Sequence, residues 1–363
     1  MAQEYENKIK DEFYGINLTD LCNNDPVLGN IMVNNKIMEF KIPIKYILNN
    51  ILICGDVFSG KSSIIKRLLL QIIENTNLNP IIFDINNEYD KLLDSKWLER
   101  EIWSIEFGNE NFSINPLELI RENDEYLEIL IDIFRDTFNL NIEESFILKE
   151  FIKYLNDNFE NPTLSDLLLL FELGDEVVSI FSDDVFKKAI SHLKSIITGL
   201  IHGPIKEILD VESTNLNIKN LQNFPIVIKF KGINKTGKRF IVNLFYFIQL
   251  IYKIDNPDPK PHLMVIDPID EISYSLLLLN SRYNVNEGIL ASLTTPLDKK
   301  RNRFAIFTNY IFLHISSDND INTIKEKFCN KDNELLSNLI MGQAIVNFSN
   351  KNNYKVEIDD FYF

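Results

Sequence analysis

The chain has 363 residues, 45% of them hydrophobic, with 37 Lys and Arg against 53 Asp and Glu for a formal charge of −16; that length accommodates about two domains, or one large α/β domain carrying an insertion. The acidity excludes a surface coated for nucleic acid, whose phosphates are gripped by Lys and Arg, although a ring can be acidic outside and basic along its pore. No apolar run approaches the ~18 residues that span a bilayer, and Met1 to Asp20 is too polar for a secretory leader, so a soluble, cytoplasmic protein without membrane insertion is expected.

Taken in chain order, the first 45 residues are polar as far as Val33. They then alternate through Ile37 to Ile44 (IMEFKIPI), the pattern of a short strand or hairpin packed beside a larger domain. Asn50 to Cys54 reads as a buried strand, and Ser63 to Glu74 (SIIKRLLLQIIE) repeats apolar residues at helical spacing. Pro80 to Asp84 (PIIFD) is a second buried strand, ending in a carboxylate and followed by Asn87-Glu88-Tyr89. From Glu122 to about Leu209 strand signal nearly vanishes. Amphipathic stretches such as Tyr126 to Phe138 and Phe146 to Leu155 predict several helices there. Sheet character returns at Pro225 to Phe230, before a long helix from about Lys238 to Ile254, and continues at His262 to Asp267, Ile289 to Leu293, Tyr310 to Ile315 and Ala344 to Phe348.

Alternating strands and helices imply an α/β fold with a mainly parallel central sheet and ligands at its carboxyl edge. The expected parts are residues 1–45 as a strand or hairpin, 46–121 as the first part of the core, 122–210 as an inserted helical subdomain and 211–363 as the second part of the core. Cys22, Cys54 and Cys329 are widely spaced and His192, His202, His262 and His314 are scattered, which argues against a zinc site or a disulfide framework.

Between the first buried strand and its helix lies Gly55-Asp56-Val57-Phe58-Ser59-Gly60-Lys61-Ser62, followed by Ser63. Two glycines at this spacing let the backbone turn its N–H groups onto phosphate oxygens. Lys61 supplies a charge near the β- and γ-phosphates, the Ser62 hydroxyl can ligate Mg²⁺, and the helix start adds its positive end. The pattern predicts binding of a nucleoside triphosphate, with ATP and Mg²⁺ as cofactors.

Such a site also needs a carboxylate at the end of a neighbouring strand to hold Mg²⁺, and Asp267, after Leu263-Met264-Val265-Ile266, is the candidate. The next position commonly carries a Glu that positions or deprotonates water. Here it is Pro268. Asp270 and Glu271 either turn back towards the γ-phosphate, or cap the next helix and complement its dipole. Glu88 is either a substitute base or a surface or capping carboxylate. General-base assistance is worth ~10²–10⁴ in rate, so its loss would slow turnover rather than abolish it.

These residues resemble the HerA/FtsK group of RecA-like P-loop ATPases, which includes HerA-type DNA translocases and conjugation ATPases. Phe83-Asp84-Ile85-Asn86-Asn87-Glu88-Tyr89 looks like that group's strand ending in Asp followed by Gly-Glu-Tyr, with Asn87 for the glycine. Ile114-Asn115-Pro116-Leu117 looks like its Asn-Pro-Leu segment before a helical insertion. Arg282 followed by Gly288 to Pro296 (GILASLTTP) is similar to its arginine, strand and Thr-Gln-Arg-Pro run. Leu339 to Val346 (LIMGQAIV) is similar to its closing Leu-x-x-Gly-Glu-Ala strand. Together they cover roughly Ile37 to the C-terminus in the group's order.

The resemblance implies a RecA-like P-loop NTPase core and a homo-oligomeric, hexameric ring acting on double-stranded DNA. Each ATP would lie between subunits, with Arg282 reaching the neighbour's γ-phosphate, unless it is only an exposed helix-end arginine. The departures fall on hydrolysis and docking: Pro268 stands for Glu, Thr295 for the γ-phosphate-sensing Gln, and the N-terminal β-barrel is reduced to a remnant.

Lys299-Lys300-Arg301-Asn302-Arg303 is the densest basic run, and Lys229, Lys231, Lys235, Lys238 and Arg239 form a second group. Each is either a non-specific phosphate track or a solvated basic face. The leading reading is an ATPase ring that grips or moves DNA in a mobile-element or antiviral setting. Its rival is a hydrolysis-deficient nucleotide-binding scaffold assembled with a partner nuclease or other effector. A metabolic kinase is disfavoured because no small-substrate constellation accompanies the loop.

Overall fold

The computed structural model describes residues 24–33, 35–93, 98–108, 112–118, 123–173, 183–256, 260–283, 286–295, 306–328, 336, 339–349 and 352–358. Its strands are β1 Val27–Val33, β2 Lys36–Lys41, β3 Ile51–Gly55, β4 Pro80–Phe83, β5 Trp103–Phe107, β6 Ile226–Phe230, β7 His262–Ile266, β8 Glu287–Thr294, β9 Asn309–Phe312, β10 Gln343–Phe348 and β11 Asn352–Glu357. They form one sheet in the order β2-β1-β11-β10-β9-β3-β8-β7-β4-β6-β5. From β9 to β5 neighbouring strands run parallel, and from β9 out to β2 they run antiparallel. The sheet is mainly parallel, as the alternation of elements predicts.

Strands β3, β4 and β7 are buried at every position, because helices cover both faces of a parallel sheet. Leu52 and Cys54 enter the core shared with the helices that lie between β5 and β6 in the chain. Ile51 and Ile53 enter the core under the phosphate-loop helix Lys61–Asn75, with Ile65, Leu68, Leu69 and Ile72. The N-terminal hairpin continues this sheet through the pairing of β1 with β11, where the sequence pattern suggested only packing alongside. Strands β1, β5 and β11 escape the hydrophobic pattern because each lies in or near an edge and is only partly apolar. Trp103 and Ser104 in β5 are exposed, and of the described side chains of β11 Tyr354 and Val356 reach the core.

Between β5 and β6 come the helices Asp124–Phe138, Ile142–Asn158, Leu164–Leu173 and Asp183–Leu200. Asn123 caps the first by accepting from the N–H groups of Glu125 and Tyr126, Asn139 ends it in the left-handed region, and Asn141 with Glu144 forms a reciprocal capping box on the second. The buried Asn115 closes the base of this segment. Its amide donates to the carbonyls of Pro162 at 3.0 Å and Glu212 at 3.2 Å, and its oxygen accepts from Leu117 N–H at 2.9 Å. The Asn-Pro-Leu segment thus ties the entry of the helical layer to its exit. No helix among the described residues is long and apolar enough to cross a membrane.

At the amino edge of the sheet, opposite the phosphate loop, Lys253 of the long helix Lys235–Asp255 pairs with Glu287 at 2.7 Å, both side chains fully buried. Replacing Lys253 by Met alone leaves a buried carboxylate unpaired and is expected to cost ~3–5 kcal/mol, whereas Lys253→Met with Glu287→Leu should come close to neutral. Denaturant titration of the two variants measures the difference. Nearby, burial and the Lys253 ammonium hold His262 at a pKa of about 3, against 6.5 ordinarily. Between those values the unfolded chain binds a proton that the folded chain does not, so stability falls as pH drops through the window. His262→Leu should flatten that part of the stability-against-pH curve, read by thermal melts between pH 7 and 4.

Candidate functional site

The end of β3 delivers Gly55 to the carboxyl edge, and Gly60 takes the cap position of the helix Lys61–Asn75 with φ 97°. A Cβ on Gly60 would meet nothing, so its left-handed conformation is what demands glycine. At Gly55 space decides: a Cβ there would strike the Ser59 hydroxyl and approach Leu313 at 3.1 Å. Phe58 is 91% exposed at φ 65°, a strained conformation for a bulky residue, and Val57 beside it is exposed too. Lys61 Nζ donates to the carbonyls of Gly55 at 3.2 Å and Asp56 at 2.7 Å. The Ser59 hydroxyl is buried without a hydrogen-bond partner among the described residues.

Asp56 faces away from the phosphate cradle. Its carboxylate accepts from the Thr295 hydroxyl at 3.0 Å and from Ser316 N–H at 2.8 Å, and its own N–H donates to the His314 carbonyl at 3.0 Å. Burial works to raise its pKa, but the bonds from Ser316 and Thr295 and the nearby His314 outweigh it and hold the carboxyl below its ordinary value.

Across the cleft, Asp84 follows β4 and accepts from the N–H groups of Glu88 at 2.7 Å and Tyr89 at 3.2 Å. This folds a tight turn in which Asn87, standing where the related motif has glycine, takes φ 57°, a left-handed value that Asn tolerates. Burial is the main cause of a raised pKa at Asp84. The turn carries the Tyr89 hydroxyl to Asp267 Oδ2 at 3.0 Å, while the Ser292 hydroxyl of β8 donates to Asp267 Oδ1. Burial, and then the Asp267 charge, push the Tyr89 phenol far above its usual range, so it stays a donor.

These elements enclose a cleft of about 480 Å³ whose walls include Lys61, Ser62, Glu88, Asp267, Pro268 and Thr294. Val57, Phe58, Gly60 and Ser63 border the same space. Ser62 and Asp267 both line this cleft and offer it hydroxyl and carboxylate oxygens, the hard donors that Mg²⁺ prefers, and the loop N–H groups offer the anion cradle. Ser62 and Asp267 would hold the metal, and the residues present fit a Mg²⁺-nucleotide.

Other candidates lie elsewhere. Glu271 is buried in the short turn Ile269–Glu271, where Lys235 Nζ meets its carboxylate at 3.1 Å, and it does not line this cleft. Pro268 occupies the cap position of that turn and Asp270 lies within it, so Asp270 does not cap the following helix, Tyr274–Tyr283. Arg282 sits in that helix's last turn, largely exposed and ion-paired with Glu125, which also accepts from the Tyr283 hydroxyl at 3.0 Å. Of the second basic group, Lys229 pairs with Asp90, Lys235 with Glu271, and Lys238 donates to the Ile85 carbonyl. The run from Lys299 to Arg303 lies outside the described residues. Sequence reasoning missed the roles of Tyr89 and Ser292; a lone serine in an apolar strand beside the Asp267 strand was the available signal.

The family model described as Helicase HerA, central domain, matches residues 27–247, more than half of the chain. Among solved structures, VirB4 of Thermoanaerobacter pseudethanolicus is similar with a TM-score of 0.66 at 14% identity, covering 94% of this chain and 98% of that one. The bacterial conjugative coupling protein TrwBdeltaN70 has a TM-score of 0.64 at 13% identity, covering 89% and 88%. TrwB in complex with ADP and Mg²⁺ gives 0.63 at 12% identity over 89% and 88%. A comparison with curated protein sequences gives no match. The structural likenesses establish a shared RecA-like fold, and the family match, joined to the complete phosphate loop, establishes the rest: the chain belongs to the HerA family of HerA/FtsK-type P-loop ATPases.

Proposed function

We propose that the protein binds ATP with Mg²⁺ in this cleft and uses binding and slow hydrolysis to grip or move double-stranded DNA. It would work as a hexameric ring in the cytoplasm, within a mobile-element or antiviral system that includes a partner nuclease or effector. One observation carries the reading: an intact phosphate loop shares a single cleft with two carboxylates, Asp267 and Glu88. The TrwB structures with ADP and Mg²⁺, and with a non-hydrolysable ATP analogue, support the choice of cofactors.

In this reading Lys61 exchanges the Gly55 and Asp56 carbonyls for phosphate oxygens, and the loop N–H groups orient the triphosphate. Mg²⁺, when bound, neutralises charge on the phosphates. Asp267 is held ready for it by the Tyr89 and Ser292 hydroxyls, which fix both carboxylate oxygens. Glu88 takes the role vacated at Pro268, orienting water and accepting its proton. Glu271 is a poorer choice because Lys235 already engages it. Arg282, exposed at a helix end, would reach a neighbouring subunit after giving up Glu125.

A second reading, a nucleotide-gated scaffold with negligible hydrolysis, draws on Pro268 and on the Thr295 hydroxyl being engaged by Asp56. ATP turnover by the purified oligomer, with and without duplex DNA and with Lys61→Ala as control, separates the two. The motor predicts turnover stimulated by DNA and abolished in Lys61→Ala; tight ATP binding with turnover equal to the control would leave only the scaffold. The carboxylate positioning has its own check. Tyr89→Phe should weaken the contribution of Mg²⁺ to ATP affinity by about tenfold or more, and Ser292→Ala should act in the same direction. Equilibrium binding in Mg²⁺ and in EDTA measures both, and unchanged Mg²⁺ dependence would contradict the assignment.

A further inference from the structure

Asp56 serves different neighbours with its main chain and its side chain. Its carbonyl accepts from Lys61 Nζ at 2.7 Å, on the nucleotide side of the loop. Its carboxylate accepts from the Thr295 hydroxyl at 3.0 Å and from Ser316 N–H at 2.8 Å. Thr295 directly follows β8 and Ser316 lies just beyond β9, and these are the two strands that flank β3 on either side. A further bond from Thr295 N–H to the Gly55 carbonyl, at 3.4 Å, runs parallel to the first link.

The charges make this arrangement consequential. A carboxylate turned into the loop would repel an entering triphosphate, whereas here it is turned outward and satisfied by donors. When phosphate oxygens draw Lys61 away, the Asp56 carbonyl loses its charged partner and keeps only the Ser59 N–H, at 3.2 Å, among the described residues, so the pull on the residue that carries the carboxylate changes. The change therefore starts within the same residue, three bonds from the carboxylate carbon whose oxygens hold Thr295 and Ser316. Thr295 stands where the resemblance places a glutamine that senses the γ-phosphate, yet its hydroxyl is spent on Asp56.

We propose that Asp56 is a positioning residue that passes nucleotide occupancy from the phosphate loop to Thr295 and Ser316, so that the ends of β8 and β9 respond through the loop carboxylate rather than by touching the γ-phosphate. The proposal rests on the nucleotide-binding reading. It differs from a plain structural brace, which would hold the loop equally with and without nucleotide.

Hydrogen–deuterium exchange on the full chain, with and without Mg²⁺-ATP, tests it. Wild-type protein should show slowed exchange in the phosphate loop and a changed rate in peptides spanning 288–295 and 309–316. In Asp56→Ala the loop should still be protected while both strand-end responses are lost. Thr295→Val should lose the response at β8, and Thr295→Ser, which keeps the hydroxyl, should restore it. If Asp56→Ala does not fold, the Thr295 pair carries the test. A protected loop with unresponsive strand ends in wild type overturns the relay and leaves nucleotide binding standing, as does a wild-type response in Asp56→Ala. An unprotected loop overturns the nucleotide reading itself, and the relay with it.

Discussion

The carboxylate of Asp267 has both oxygens taken before any ligand arrives, one by the hydroxyl of Tyr89 and the other by that of Ser292. A buried carboxylate without donors would be expensive to keep ionised, and two oriented hydroxyls offset that cost while fixing where its charge points. The bonds also join three strands. Tyr89 belongs to the turn after β4, Asp267 follows β7, and Ser292 lies within β8, whose other neighbour β3 carries the phosphate loop. The geometry of the cleft depends on this junction. Without it, the turn that presents Glu88 would lose its anchor, and the Asp267 carboxylate its direction.

That junction also changes the meaning of Pro268. In isolation, a proline where a catalytic glutamate is common reads as a lesion in hydrolysis. In the fold, Pro268 shares the cleft wall with Glu88, which is presented by a turn folded on Asp84. The proposed motor and the proposed scaffold differ in whether Glu88 accomplishes what a glutamate at position 268 would have done. They share the same nucleotide-binding apparatus, and the HerA family assignment holds for both.

Most of the parallel core was legible because β3, β4 and β7 are short, wholly buried apolar runs and β6 and β8 are nearly so. The phosphate loop was legible because its chemistry is local: Gly55, Gly60, Lys61 and Ser62 act within a single turn. Legibility failed where pairing rather than burial makes the element. Strands β5 and β11 carry polar residues on a solvated side, β1 leaves the apolar Met32 exposed, and the places of all three in the sheet depend on partners far away in the chain. The contact between Tyr89 and Asp267 joins residues 178 positions apart, and no spacing rule within the sequence reveals it. The same holds for Glu271, whose nearness to Asp267 in the chain suggested a role, while the fold turns it towards Lys235.

If the cleft is complete for chemistry as well as for binding, Glu88 is its base. Single-turnover hydrolysis of pre-bound ATP by wild type and Glu88→Gln, with ATP affinity measured on the same samples, tests this most directly. A base at Glu88 predicts hydrolysis slowed by ~10²-fold or more with affinity nearly unchanged. Equal hydrolysis by the two proteins would contradict it.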